Sequence, residues 1–489
     1  MKQALCILIV ILAGLSASAA KIKYPGRKVY VYRYTLTDKA PTAYSLEKPH
    51  RFLSRKSVER RHRQGLAVDS TDLPVCRLYI QSLRSKGVEI LGTSRWMNSV
   101  VVRSSDSTLL ESLKALPFVS QSRRVFTSPD SIEKPDDIRW NVHEDFNRWD
   151  SVRNDPYGMG RQQIEMLGGI RLHEAGFKGK GITIAVLDGG FQNYDRIPAF
   201  FSTHILGTRD FLASDRESGN ARGSKASGSL YTIDHGTKVF SALAAYAPDV
   251  IIGTAPDAAY WLLRCEDSLT EQPIEEDYWV MAAEMADSVG ADIINSSLGY
   301  YAYDHSHDNY ALQDLDGQTA FISKAASMLA RKGIILCNSA GNSGMGQWKK
   351  ISVPADALDI LTVGAVDKNR RLASFSSIGP SQDGRVKPDI VAQGAPTALL
   401  SGRGTLVHDM GTSFSTPVVC GLVACLWQAL PHKSALEIIE IVRQSADQYA
   451  NPTNIFGYGV PDFWKAYHEA IASPSPSKGG DVLTDESIR

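Results

Sequence analysis

Ser413 lies where a side-chain hydroxyl could act as a nucleophile. It stands in the segment GTSFSTPVVCGLVA (411–424), after Gly411, which lets the backbone bend tightly, and before Pro417, which fits the first turn of a helix. The apolar residues that follow predict a buried helix. A helix-capping serine would explain Ser413 alone, so a nucleophile requires a base, an orienting acid and an oxyanion donor elsewhere in the chain.

Three other side chains could fill these roles. Asp188 ends the apolar run GITIAVLD (181–188), where a carboxylate can accept several hydrogen bonds. His235 begins a predicted helix, and we expect its imidazole to be neutral because a helix N-terminus disfavours a cation. Asn342, in CNSAGNSG, could donate its amide to an oxyanion. Each has an ordinary structural explanation alone, but together they supply the four groups that acyl transfer needs.

The region that carries these residues alternates short apolar runs with helical stretches. This alternation predicts a mostly parallel sheet covered on both faces, with chemistry at the carboxyl ends of its strands. The predicted strands span 181–188, 258–265, 291–298, 333–340 and 359–366, and the predicted helices span 235–247, 275–290 and 319–333.

The chain divides into five segments by composition. The first, MKQALCILIVILAGLSASAA, has an early lysine, a short apolar run and small residues near its end, which is typical of a secretory signal peptide. We therefore expect export to the periplasm or the extracellular space. The predicted segments are a signal peptide at 1–20, a small α+β domain at 21–126, a polar linker at 127–165, the parallel α/β domain at 166–472 and a disordered tail at 473–489.

The small domain shows alternating strand and helix patterns of its own. Its predicted strands span 29–34, 88–94, 97–104 and 119–126, and its predicted helices span 76–86 and 107–116. The basic run RKSVERRHR (55–63) has helical spacing and predicts a solvated helix face.

Charge and cysteine content exclude several classes of partner. The 53 Lys and Arg residues balance 53 Asp and Glu residues, and this zero net charge argues against nucleic acid or an anionic membrane as the main partner. No segment after residue 20 is long and apolar enough to predict a membrane span. Five of the six cysteines follow residue 20, and we expect buried thiols in place of disulfides.

The four motifs resemble those of the subtilisin-like serine proteases (subtilases, peptidase S8 family). The matching segments are AVLDGG around Asp188, DHGTKVFSALAA around His235, SAGNSG around Asn342 and GTSFSTP around Ser413, within a resemblance that covers roughly residues 165–472. It implies a three-layer subtilisin-like α/β fold and an endopeptidase that forms an acyl-enzyme on Ser413. His235 would act as general base and then acid, Asp188 would orient it, and Asn342 would lie in the oxyanion hole.

The resemblance also implies how this protein binds its substrate and its own propeptide. An extended substrate would lie along Ser297, Leu298 and Gly299, which would border the pocket before the scissile bond. Residues 21–126 resemble an inhibitory propeptide, to be removed by self-cleavage within 126–160. A permanently attached accessory domain is the alternative for that segment. We expect a monomer.

The chemistry predicted for Ser413 requires no cofactor. Calcium binding is common among subtilases, but no motif in this sequence places it. His305, His307, Asp314 and Asp316 have the side chains of metal ligands, yet neither pair offers enough converging ligands, so we expect solvated loops there.

Two positions depart from the subtilase pattern. Gly189 stands where many subtilases have serine or threonine, and Lys238 stands where many have a second histidine. Neither position performs the chemistry, so we expect activity. The alternatives are a catalytically silent subtilase-like protein that captures extended peptides, and a processing enzyme for one partner protein.

Overall fold

The computed structural model describes residues 21–24, 27–133, 154–212 and 233–472. The predicted signal peptide, the middle of the predicted linker and the predicted tail lie outside the described residues. Both ends of that linker are ordered, since a short strand and a short helix fall within it.

The smaller domain is built on a four-stranded antiparallel sheet in the order β3-β4-β2-β5, and β1 pairs with β6 beside it. The six elements predicted for this domain are confirmed to within a few residues at each end. Its elements are β1 (Lys21–Lys23), β2 (Tyr30–Leu36), α1 (Arg55–Arg63), α2 (Arg77–Ser85), β3 (Glu89–Ser94), β4 (Ser99–Ser104), α3 (Ser107–Leu113), β5 (Val119–Thr127) and β6 (Ser131–Glu133).

The larger domain contains a seven-stranded sheet in the order β15-β14-β13-β12-β7-β11-β8, in which every pairing is parallel. The predicted parallel sheet is confirmed, but its two edge strands, β8 and β15, were not among the predicted strands. The strands are β7 (Thr183–Asp188), β8 (His204–Asp210), β9 (Tyr246–Ala247), β10 (Ile251–Ile252), β11 (Ala259–Arg264), β12 (Ile293–Ser296), β13 (Ile335–Ser339), β14 (Leu361–Asp367), β15 (Ile390–Ala395), β16 (Thr397–Leu400) and β17 (Leu406–Asp409).

Helices cover both faces of this sheet. Alternate residues of β7 enter two different hydrophobic clusters: Ile184 and Val186 pack with α6, α9 and α10, whereas Ala185 and Leu187 pack with α7 and α8. The helices are α4 (Arg161–Glu165), α5 (Gly169–Glu174), α6 (His235–Ala244), α7 (Ile274–Val289), α8 (Phe321–Ala326), α9 (Thr412–Ala429), α10 (Ala435–Ser445) and α11 (Phe463–Ala472). The molecule therefore has the three-layer α/β architecture expected.

The helix predicted at 319–333 is shorter than expected. It ends at Ala326, and the next residue, Ser327, donates its hydroxyl to the carbonyl oxygen of Gly317 and accepts from the amide of Leu358. Serine side chains that bond to nearby backbone compete with helix propagation.

The helix that begins beside Ser413, α9, is the central core helix. By length and composition alone it could cross a membrane, but 89% of its apolar window is buried inside the protein.

The five cysteines of the described chain are buried and unpaired, so the prediction of thiols is confirmed. They are Cys76, Cys265, Cys337, Cys420 and Cys425.

The smaller domain packs its open sheet face on α7 of the larger one. Val31 and Val101 enter the hydrophobic cluster that contains α7, while Tyr32 and Tyr34 point to the other face of their sheet. The prediction of a solvated face for residues 55–63 is wrong for Arg60 and Arg61, which are each 1% exposed. They are buried because α1 lies against the larger domain, a contact that the local sequence does not encode.

Candidate active site

Asp188 and His235 meet at the carboxyl edge of the parallel sheet. Asp188 is the last residue of β7 and is fully buried, and His235 is the first residue of α6. The ring Nδ1 lies 2.9 Å and 3.1 Å from the two carboxylate oxygens. A side chain at Gly236 would put a carbon 2.4 Å from the carbonyl oxygen of Gly190, so glycine is required for α6 to begin this close to β7.

The charge state of His235 differs from the sequence prediction. Burial by itself lowers the pKa of His235, but the adjacent Asp188 charge, its hydrogen bond to the ring and the more distant Glu266 together raise that pKa to about 9. These carboxylates therefore favour the charged imidazole at neutral pH, contrary to the neutral ring expected from the helix N-terminus.

Ser413 and Asn342 are held together through Thr412. The side-chain oxygen of Asn342 accepts from both the backbone N–H and the hydroxyl of Thr412, each at 2.9 Å. The Thr412 hydroxyl in turn accepts from the amide of Gly341 at 3.2 Å. Because the amide oxygen is occupied in this way, the Asn342 Nδ2 group is left to donate to another acceptor beside Ser413.

The hydroxyl of Ser413 bonds to the predicted substrate segment and not to His235. Its Oγ donates to the carbonyl oxygen of Ser297 at 3.3 Å, and the Ser297 hydroxyl donates to the carbonyl oxygen of Ser413 at 2.9 Å. No hydrogen bond joins Ser413 Oγ to the imidazole in the described part of the chain. The ring of Phe414 lies 5.6 Å from that of His235, so the two halves of the site are neighbours. A hydrogen bond between a catalytic serine and its base commonly forms or shortens only when substrate binds.

The segment predicted to bind substrate continues from the end of β12. Ser297 and Leu298 are buried, Gly299 is exposed, and the carbonyl oxygen of Leu298 accepts from Asn338 Nδ2 at 3.3 Å. The segment thus runs from the Ser413 backbone to the surface.

Glu266 is a neighbour of the Asp188–His235 pair that the sequence prediction missed. A side-chain carbon at Gly189 would lie 2.9 Å from Glu266 Oε2, so this carboxyl lies against the space that a serine or threonine at 189 would need. Burial and then Asp188 raise the pKa of Glu266 to about 8. Its position, one residue after the strand predicted at 258–265, was the signal that could have revealed it.

Lys238, the other departure from the family pattern, has a structural contact of its own. Its Nζ lies 3.1 Å from an Asp409 oxygen on β17 and 3.5 Å from Asp234. It therefore links the helix that carries His235 to the strand that precedes Ser413.

No group of three or more His, Cys, Asp or Glu residues is arranged to hold a metal ion within the described ranges. The rings of His305 and His307 stack on one another at 5.6 Å in a partly exposed loop. Among the described residues, no cluster of carboxylate, imidazole or thiol side chains can therefore be assigned to calcium.

Comparison with known proteins matches both domains. The model of the subtilase family matches residues 179–459, and the model of the peptidase S8 propeptide domain of Bacteroidota matches residues 31–138. M-protease of Shouchella clausii is 26% identical over 356 residues, which cover 72% of this chain and 80% of that protein. Subtilisin Savinase of Lederbergia lenta is 26% identical over 306 residues, 62% of this chain and 96% of that protein. Serine protease AprX of Bacillus subtilis is 27% identical over 312 residues, 58% and 65% of the two chains.

Proposed function

The chain belongs to the subtilase family of serine endopeptidases, and we propose that Ser413 is the nucleophile with which it cleaves peptide bonds. The observation that carries this proposal is the pairing of His235 with the buried Asp188 at the same sheet edge where Asn342 is held beside Ser413. The reaction needs no organic cofactor.

The proposed reaction assigns one task to each group. The neutral His235 takes the proton of Ser413 through Nε2 while Asp188 holds Nδ1, and the freed Oγ attacks the substrate carbonyl. The resulting oxyanion receives hydrogen bonds from Asn342 Nδ2 and the Ser413 backbone N–H. The imidazolium then protonates the leaving amine, and water releases the acyl group by the same steps.

Active-site labelling tests this proposal most directly. A serine-directed fluorophosphonate should modify the processed protein, and peptide mapping should locate the label on Ser413 and not on Ser415, two residues along the same helix turn. A folded, processed sample that takes up no label would support the silent peptide-binding alternative instead. Digestion of unrelated unfolded proteins would separate a general endopeptidase from a processing enzyme for one partner.

Replacing Asn342 with alanine should reduce kcat by about 10²–10³-fold with little change in KM, the loss that removing one oxyanion donor causes in a subtilisin. Thr412→Val is the matched control, because it removes one hydrogen bond to the Asn342 oxygen but keeps the donor, and its loss should be much smaller. Steady-state kinetics on one peptide substrate would measure both. A loss below about fivefold in Asn342→Ala would exclude the oxyanion role.

The peptidase activity should be highest at alkaline pH. Because only neutral His235 can accept the proton and its pKa is raised to about 9, kcat/KM should rise with pH through an apparent pKa near 9. Glu266→Gln removes one of the charges that raise this pKa, so the rise of kcat/KM should occur at lower pH in this variant. A profile already level at pH 7 in the parent protein would contradict this assignment.

We further propose that the protein is exported and that the smaller domain inhibits the catalytic domain until self-cleavage within residues 126–160. Signal-peptide removal and the cleavage site would both be identified by mass spectrometry of the N-termini of the secreted protein. An active preparation in which every chain begins before residue 30, with no second N-terminus within 126–160, would favour the accessory-domain alternative.

A further inference from the structure

Gly299 and Gly341 lie on the two segments that flank the proposed scissile bond. Gly299 ends the segment 297–299, along which substrate is proposed to lie, and Gly341 precedes Asn342, the proposed oxyanion donor. When a scissile carbonyl points at Asn342, the side chain of the residue that carries this carbonyl is directed between the two glycines. We call the space between them the glycine gap.

The hydroxyl of Ser352 fills the glycine gap. A side-chain carbon at Gly299 would overlap the Ser352 Oγ atom, and one at Gly341 would lie only 3.0 Å from it. Because a carbon–carbon bond is about 1.5 Å long, this oxygen lies within about 4.5 Å of the Cα atoms of both glycines. No substrate side chain can therefore pass between the two backbones at that depth while Ser352 stays in place.

Backbone hydrogen bonds hold Ser352 in the gap from both sides. Its N–H donates to the carbonyl oxygen of Ala340, which precedes one of the glycines, at 3.2 Å. The next residue, Val353, donates to and accepts from the backbone of Tyr300, which follows the other glycine, at 3.0 Å and 2.8 Å. The floor of the glycine gap is therefore fixed to both of its walls.

The Ser352 hydroxyl has no partner among the described residues. Ser352 is 4% exposed, and no hydrogen bond within the described ranges involves its side chain. The hydroxyl of Ser377 also lies 3.0 Å from a carbon added at Gly341, but it accepts from the amide of Ser343. Buried hydroxyls normally have partners, so the Ser352 group indicates that a bound molecule contacts it.

We propose that Ser352 restricts the residue directly before the scissile bond to a small side chain, such as that of alanine or serine. A longer side chain would have to displace Ser352, whose own backbone and that of the next residue are bonded to both walls of the glycine gap. This inference rests on the proposed function, because it names the substrates that the same site accepts.

The chain's own predicted cleavage region contains few residues that satisfy this limit. Between the described parts of the two domains, in residues 134–153, Ser151 is the single residue that is glycine, alanine or serine. We therefore expect self-cleavage between Ser151 and Val152.

Paired peptides would test the inference on the processed protein. Peptidyl coumarylamides, whose fluorescence reports cleavage directly after the varied residue, should show about 10- to 100-fold higher kcat/KM with alanine than with phenylalanine at that residue. Ser352→Gly removes the hydroxyl that fills the gap and should lower this ratio about tenfold. Ser445→Gly removes the same side chain from a buried position on α10 and should leave the ratio unchanged. Because the ratio is taken within each variant, it is independent of the active fraction.

The outcomes separate the two proposals. Equal or faster hydrolysis of the phenylalanine substrate by the parent would overturn the role of Ser352 but leave the peptidase intact, and this measurement needs no variant to fold. An alanine preference that Ser352→Gly retains in full would also overturn it, as would a self-processed N-terminus that follows an aromatic or long aliphatic residue. Labelling by the fluorophosphonate without hydrolysis of the alanine substrate would count against it in the same way. Absence of both hydrolysis and labelling would instead refute the proposed function.

Discussion

Replacing Ser413 with alanine should lower kcat by about 10⁶-fold and leave the chain as one uncleaved polypeptide. The loss is this large because the nucleophile and its base act as a unit, and the remaining oxyanion donors cannot form an acyl-enzyme. Residual activity comes only from binding and from stabilisation of the oxyanion. The measurement is the mass of the purified chain over time, together with kcat on a peptide substrate.

Ser415→Ala is the matched control for Ser413→Ala. Ser415 is also buried in the first turn of α9, but its hydroxyl donates to the carbonyl oxygen of Thr412 at 3.0 Å and has no chemical task. This variant should lose about 1 kcal/mol of stability and still be processed. If a Ser413→Ala chain produced without other proteases were shortened as fast as the parent, Ser413 could not be the residue that cuts the linker.

The sequence predicted the buried strands of the larger domain better than its edges. β7, β11, β12, β13 and β14 are continuous apolar runs because both of their faces are covered. β8 has the sequence HILGTRD and is half exposed at one edge, while β15 has a glutamine and a glycine within IVAQGA at the other. β8 lacks the apolar signal because it is partly exposed, whereas β15 is buried but its apolar run is short and interrupted by the glutamine and the glycine.

The predicted site positions come together, but their electrostatics needed the structure. Spacing along the chain indicated where Asp188 and His235 would stand, since carboxyl ends of parallel strands share one edge. It did not indicate that Glu266, 31 residues after His235, approaches that pair closely enough to help raise the histidine's pKa. The local sequence likewise could not show that Arg60 and Arg61 of α1 would be buried, because both also bond to Asp287, more than 200 residues away.

The propeptide-like domain should be held on the catalytic domain chiefly by buried arginines. Asp287, on α7, is bonded by Arg60, Arg61 and Arg95, all from the smaller domain. Burial alone would raise the pKa of Asp287, but these three charges lower it to about 2. A carboxyl with a depressed pKa contributes its pairing energy above its ordinary value near 4 and loses it as pH falls through 2, so mild acid should not release the domain.

Arg60→Ala should weaken this complex by about 10²–10³-fold. Arg60 donates to Asp287 and to the carbonyl oxygens of Ala291 and Lys332, and removing one member of such a buried pair costs about 3–5 kcal/mol. Arg55→Ala removes the same side chain from the same helix, but the Arg55 side chain is 86% exposed and its partner within the described residues is Glu59 of the same helix, so its effect should be below threefold.

Both arginines lie in the smaller domain, so the catalytic domain released from either variant has the parent sequence. If self-cleavage occurs as proposed, the two domains should remain associated, and dilution into substrate would measure the concentration at which inhibition is lost. That concentration should be about 10²–10³-fold higher in Arg60→Ala than in the parent or in Arg55→Ala. Equal values in the three proteins would mean that the apolar contact of Val31 and Val101 with the α7 cluster holds the domain by itself, and that the buried arginines only fix its orientation.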